Sequence, residues 1–189
     1  MTGIDRAAAE ALIAARLSPR RRDHAHRVAA EAVTLAQRFG ASVEKAELAG
    51  LLHDYCRELS DKDTLAAAAR YGIPVSPVEA LRPKKILHGP VAAAELAGLG
   101  VDPEVTAAIR LHTVGAAGMS VLEKCVYLAD YLEPGRDFPG VDQVRELATT
   151  SLDRGLGAAA RLSLLDVIGR GRGVVPEALA LYNETHAEE

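Results

Sequence analysis

The sequence predicts an all-α helical bundle, and three observations carry that prediction. Apolar residues recur at helical period in nearly every segment, with no run alternating at strand period. Alanine is heavily used while aromatic residues are only 4% of the chain and Trp is absent. Alanine costs least in a helix, and small side chains let helices approach closely. Helix start and stop signals punctuate the whole length.

The spacing predicts a first helix over residues 5–17. A second begins after Pro19, carries Val28, Ala32, Leu35, Ala36 and Phe39 on one face, and ends at Gly40, suited to a left-handed cap. A third starts near Ser42 and ends around residues 53–55, and Ser60 with Asp63 opens a fourth that stops near Gly72. Residues 73–83 hold three prolines and are expected to be an irregular connection. A helix through His88 runs to about Gly98. Asp102 followed by Pro103 starts the next, which carries Val105, Ala108 and Ile109. Ser120 and Glu123 have capping-box spacing ahead of Leu122, Cys125, Val126 and Ala129. Pro134 ends that helix, and residues 133–140, with two Pro and two Gly, make a shaped loop. One or two C-terminal helices follow, interrupted by Gly169-Arg170-Gly171-Arg172-Gly173.

A chain of 189 residues fits one domain with a buried core, and 49% hydrophobic with 25% charged residues is globular composition. The net charge of −4 supplies no global basic field to recruit nucleic acid. No stretch approaches the ~18 apolar residues of a membrane span. Asp5, Arg6, Glu10 and Arg16 break up any signal-peptide core, so an intracellular, cytoplasmic protein is expected. The two cysteines, Cys56 and Cys125, have no metal-type spacing and fit a reducing compartment. Cys56 is read as a small buried hydrophobe rather than a reactive thiol.

Ionisable residues stand at the inner edges of the apolar stripes. His24 lies four residues before Val28. His53 and Asp54 close the run Leu48-Ala49-Gly50-Leu51-Leu52, His112 lies three past Ile109, and Asp130 lies four past Val126. His88 adds a further imidazole. Singly, an inward His is usually a hydrogen-bonded core residue and an inward Asp a cap or salt-bridge partner. Together they need a common explanation, because inward ionisable groups are costly unless paired or ligated. Helix bundles build metal centres from such side chains on facing helices. Imidazole with carboxylate suits Fe, Mn, Co, Ni or Zn rather than Ca or Mg. His26, two residues from His24, falls off the stripe, and His186 lies in a polar tail where solvation is expected.

The segments Arg21-Arg22-Asp23-His24, Leu51-Leu52-His53-Asp54-Tyr55, His88-Gly89-Pro90, His112-Thr113 and Asp130-Tyr131-Leu132-Glu133-Pro134 resemble the YqeK family. These are HD-domain bis(5′-nucleosyl)-tetraphosphatases of the symmetrical type. The loop Arg136-Asp137-Phe138-Pro139-Gly140-Val141-Asp142 is also similar to theirs, and the likeness spans roughly residues 20–185. The resemblance implies a single HD-type helical domain over residues 1–189, with a catalytic core at about 20–150 and helices of 151–189 completing the nucleotide site. It implies iron held by His24, His53, Asp54 and Asp130. Mn, Co or Ni are alternatives, and a second ion near His88 and His112 is open. His88 and His112, with Asp54, would then serve catalysis or face the phosphates. Arg21 and Arg136 match positions that touch nucleotide phosphate, and Arg170 falls in a segment that lines the nucleotide site of relatives. One departure is visible: the family's usual Lys, three positions after the doublet's Asp, is replaced here by Arg57, a planar fork in place of a point donor.

The implied reaction is cleavage of diadenosine tetraphosphate to two ADP by attack of a metal-bound water, with Arg21, Arg57, Arg136, Lys84, Lys85 or Arg170 compensating phosphate charge. A homodimer is implied as well. Two other readings stay open on the residues alone. One is an HD phosphohydrolase acting on a nucleoside monophosphate or cyclic dinucleotide, and the other is a nucleotide-binding regulator without turnover.

Overall fold

The computed structural model describes residues 4–187, and every regular element among them is a helix. In chain order these are α1 (Arg6–Arg16), α2 (Pro19–Phe39), α3 (Val43–Leu52), α4 (Asp61–Arg70), α5 (Pro77–Ala80), α6 (Pro83–Ile86), α7 (His88–Gly98), α8 (Pro103–Leu111), α9 (Val121–Leu132), α10 (Val141–Thr150), α11 (Leu152–Gly169) and α12 (Pro176–Thr185). The hub is α2 against α3 and α9. Helix α8 packs on α3, α7 and α9, while α10 and α11 pack against α9 and α12 packs on α11. Val28, Leu35, Leu52, Ile109, Val126 and Leu128 are buried where these helices meet.

The local signals act as their chemistry requires. The side chains of Asp5, Ser42, Ser60, Asp102 and Ser120 each accept a first-turn backbone N–H, satisfying donors that the helix leaves without partners. Ser120 and Glu123 form the full reciprocal box, and Gly40 closes α2 at φ 78°.

Three local expectations need correction. Residues 73–83 are not wholly irregular. Ser76 and Glu79 make a second capping box that starts the one-turn α5, and Pro83 starts the one-turn α6. The C-terminal region holds three helices, because Ser151 turns extended (φ −150°, ψ 121°) after α10 and caps α11 with its side chain. His186 is not fully solvated: it is half-buried and stacks on Tyr182 with ring centroids 4.2 Å apart. His26 is exposed and faces Glu10, off the inner stripe. No helix among the described residues is long and apolar enough to cross a membrane.

Candidate metal centre

The centre forms where α2, the end of α3, α7, the end of α8 and α9 converge. Gly50 makes this possible, since a Cβ there would stand 2.6 Å from the Ala29 Cα, and only glycine lets α3 lie so close to α2. That contact carries His53 and Asp54, in the turn after α3, to within reach of His24. Gly89 does the same for the other side, because its missing Cβ would stand 2.9 Å from the Ile109 carbonyl and 3.2 Å from the His112 ring. The turn is also held from behind. The Arg16 guanidinium lies 4.6 Å from the Tyr55 ring centre and pairs with Glu95, whose other oxygen meets the Cys56 thiol at 3.5 Å.

Each imidazole is oriented by its Nδ1. The Nδ1 of His53 is 2.7 Å from the Gly50 carbonyl, and that of His112 is 2.7 Å from the Ile109 carbonyl. A carbonyl only accepts, so Nδ1 carries the proton and Nε2 keeps a free lone pair. His24 presents Nδ1 to Glu133 at 3.2 Å, which turns its Nε2 toward Asp130. These three Nε2 atoms then face carboxylates. His24 Nε2 lies 3.1 Å from Asp130 Oδ1 and 3.9 Å from Asp54 Oδ2, while His53 Nε2 lies 3.9 Å from Asp130 Oδ1 and 3.7 Å from Asp54 Oδ2. Lone pairs aimed at carboxylate oxygens repel unless a cation lies between them. His53 Nε2 is buried without any hydrogen-bond partner, an orphan that a metal ion would satisfy. Ligand atoms of His24, His53 and Asp130 lie within 4.8 Å of one another, as do those of His53, Asp54 and His112. The donor set therefore fits a transition ion.

Asp54 spans two sub-sites. Its Oδ2 faces His24 and His53 and accepts from Arg21 at 2.9 Å. Its Oδ1 faces His88 Nε2 at 3.2 Å and His112 Nε2 at 4.0 Å, and those two nitrogens are 3.0 Å apart. The Thr113 hydroxyl meets both, at 3.3 and 3.0 Å.

Electrostatics follow from the burial. Burial disfavours charge on Asp54, but His53 and the hydrogen bond from His88 outweigh it, so the carboxyl stays far below the usual range. Asp130 behaves alike: burial raises it, and His24, His53 and Arg136 pull it well down. Burial lowers His88 and His112 to about 4, keeping both rings neutral and ready as ligands. Lys85 is pulled below its ordinary value first by Arg57, then by burial and by Arg21, Lys84 and Arg172. Crowded cations of this kind mark a place for an anion.

A cavity of about 300 Å³ opens onto the cluster and is lined by Arg21, Asp54, Arg57, Lys85, His88, His112, Asp130 and Arg136. Arg136 donates to Asp130, and Arg57 Nε stands 3.7 Å from Asp54. Of the residues singled out in the sequence, His24 and His53 are buried outside the lining, while Lys84 and Arg170 do not line the cavity. Arg170 pairs with Asp166 at the exposed end of α11. A larger hollow of about 840 Å³, against Pro74, Ile86 and Ala93, touches none of the cluster.

The sequence reading missed Glu133, Thr113, Tyr127, Tyr131 and Ser163. Glu133 is buried and orients His24 while accepting from Arg27 Nε at 2.5 Å and from the Gly135 amide at 2.6 Å. Its signal was present, since Glu133 lies three residues past Asp130, next to the same helical face. The hydroxyl-bearing Tyr127, Tyr131, Ser163 and Thr113 complete the wall, with Ser163 supplied by α11.

Residues 21–135 match the HD domain family. A Bacillus subtilis protein named symmetrical bis(5′-nucleosyl)-tetraphosphatase is 36% identical over 95% of this chain and 97% of its own. A Halalkalibacterium halodurans protein of the same name is 34% identical over 98% of this chain and 100% of its own. The solved structure of a Clostridium acetobutylicum protein, described as a predicted HD superfamily hydrolase involved in NAD metabolism, superposes with a TM-score of 0.92. It is 28% identical, with both chains covered in full. Matches of this extent, falling on the helices that carry the cluster, make the chain a member of the HD-domain family and, within it, of the symmetrical bis(5′-nucleosyl)-tetraphosphatases, the YqeK family.

Proposed function

We propose that this protein hydrolyses diadenosine tetraphosphate at its central bridge, giving two ADP. The observation that carries the reading is the convergence of His24, His53 and Asp130, and beside them of His53, Asp54 and His112, next to a cation-lined cavity. His24, His53, Asp54 and Asp130 would hold iron, with Mn, Co or Ni as substitutes, and His88 and His112 would hold a second ion or face the phosphates. When bound, the ion acidifies water and compensates charge on a phosphate oxygen.

The remaining work falls to the protein's own groups. Asp54, fixed by Arg21 and Arg57, holds its two oxygens between the sub-sites and orients the attacking water. Arg21, Arg57, Lys85 and Arg136 offset the charge of four adjacent phosphates, which otherwise repel any nucleophile. The P–O bond at the central bridge breaks, and the departing ADP is a good enough leaving group to need no dedicated acid. Helices within residues 151–189 complete the nucleotide site, and Ser163 on the cavity wall supports this.

A cytoplasmic location is consistent with two buried, unpaired cysteines. A homodimer draws support from Leu165 and Ile168, exposed at 53% and 60% and three residues apart on α11. The deciding experiment supplies diadenosine tetraphosphate to protein loaded with Fe, Mn or Co and separates the products. ADP alone is expected, whereas ATP with AMP, or binding without turnover, contradicts the proposal.

A further inference from the structure

The metal cavity has a different neighbour on each side, although the substrate proposed for it is symmetrical. On the side of His88 and His112 it shares Lys85, Thr113, Tyr127 and Ser163 with a slot of about 160 Å³. The body of that slot is apolar, walled by Ile86, Val114, Leu164, Val167, Val174 and Leu181. On the side of His24 the cavity shares Arg21 and Arg136 with a second space of about 470 Å³. Arg20 and Arg27 add two further guanidinium groups there, and its remaining lining is Ser18, His24, Glu58, Glu133 and Gly135. No aliphatic side chain beyond alanine size and no Phe, Tyr or Trp lines it.

The chemistry of the two spaces differs accordingly. A flat nucleobase gains from burying its faces against apolar walls, and the slot offers them. The arginine-lined space offers a base no apolar wall, but it offers phosphate oxygens Arg20 and the donors that Arg21, Arg27 and Arg136 keep beyond their pairs with Asp54, Glu133 and Asp130. Glu133 engages Arg27 there, while Arg20 is exposed and directed at no acid among the described ion pairs.

Resting on the tetraphosphatase reading, we infer that the two halves of the substrate are held unequally. One nucleoside enters the apolar slot beside Thr113 and Ser163. The other half is gripped through its phosphates alone in the space lined by Arg20, Arg21, Arg27 and Arg136, and its nucleoside is not read. The ligand class of that second space is thus an oligophosphate chain, with or without a terminal nucleoside.

The test compares diadenosine tetraphosphate with adenosine 5′-tetraphosphate on the metal-loaded protein. Water cleaves the same bond in both, giving two ADP from the first and ADP plus pyrophosphate from the second. A group that makes no contact contributes no binding free energy, so kcat/KM for the truncated substrate is expected within about fivefold of the full one. In parallel, Arg20→Ala is expected to raise KM for both substrates roughly fivefold, and to affect kcat less. A hundredfold loss on the truncated substrate overturns the inference, because the second nucleoside is then recognised. An unchanged KM in Arg20→Ala overturns the assignment of the space. Failure of diadenosine tetraphosphate itself to yield ADP is a separate result, and it removes the parent reading together with the inference.

Discussion

Asp54 has two carboxylate oxygens, and the fold gives each a different neighbourhood: Arg21, His24 and His53 on one side, His88 and His112 on the other. Around it, each imbalance of charge is set by one side chain. Glu133 is the most exacting of these, since its oxygens meet both His24 Nδ1 and Arg27. Glu133→Gln keeps the shape but weakens the acceptor behind the ligand. Partners of this kind typically govern metal affinity by about 10–100-fold, so titration of apo protein with Mn or Co should show a loss in that range. Unchanged affinity would remove Glu133 from the centre. Cys56 makes the opposite case, a polar atom next to the site with no chemistry to perform. Burial first, then Glu95, pushes its thiol from 9.0 up to about 12, and burial does the same to Cys125. A raised thiol pKa keeps the inert protonated form well above neutrality. Both cysteines should therefore resist alkylation at pH 8 in the folded protein and react once it is denatured. Between pH 9 and about 12 the unfolded thiols lose protons that the folded ones keep, so stability falls as pH rises through that window.

Among the elements, the α2–α3 contact decides whether the ligands meet at all. In Gly50→Leu the added side chain begins 2.6 Å from Ala29, with backbone rather than a yielding side-chain tip in its path. Overpacking of this kind costs about 1–3 kcal/mol, roughly 2–4 °C of Tm per kcal/mol in a chain of this size. The variant should melt several degrees lower and bind metal more weakly, because His24 and His53 move apart. A Tm and metal affinity equal to those of the parent protein would contradict the packing account. This contact also marks where the sequence stops being legible. Caps at Ser42, Ser60, Asp102 and Ser120, and the inward stripe through Val28 and Leu35, depend on neighbours within a few residues and can be read directly. The cluster of candidate ligands could be anticipated too, since His24, His112 and Asp130 each stand on the edge of such a stripe and the structure brings them together with His53. Gly50 reads only as one more apolar-run residue, because its partner lies 21 positions upstream in α2. Of the two arginines in 169–173, Arg172 approaches Lys85 while Arg170 stays outside with Asp166. That outcome depends on the left-handed turn at Gly171 (φ 62°) and the path of the chain after it. The box at Ser76 was visible in the sequence but masked by three neighbouring prolines.

Taken whole, the molecule is a set of helices that bury acceptor atoms facing one another, an arrangement that would be repulsive if nothing cationic joined them. His53 Nε2 is left without a partner while other lone pairs and two carboxylates surround it. The rest of the fold supplies what such a centre needs: a cavity with four cationic side chains, and unequal spaces on its two flanks. The central claim is that side chains from separate helices grip an ion at this point. It is tested most directly by crystals of protein loaded with iron or cobalt, measured with X-rays at that metal's absorption edge. An anomalous peak is expected at roughly 2.1 Å from the Nε2 atoms of His24 and His53 and from an oxygen each of Asp54 and Asp130. Loaded, active crystals with no peak at that place, or with their metal held elsewhere, would contradict the account.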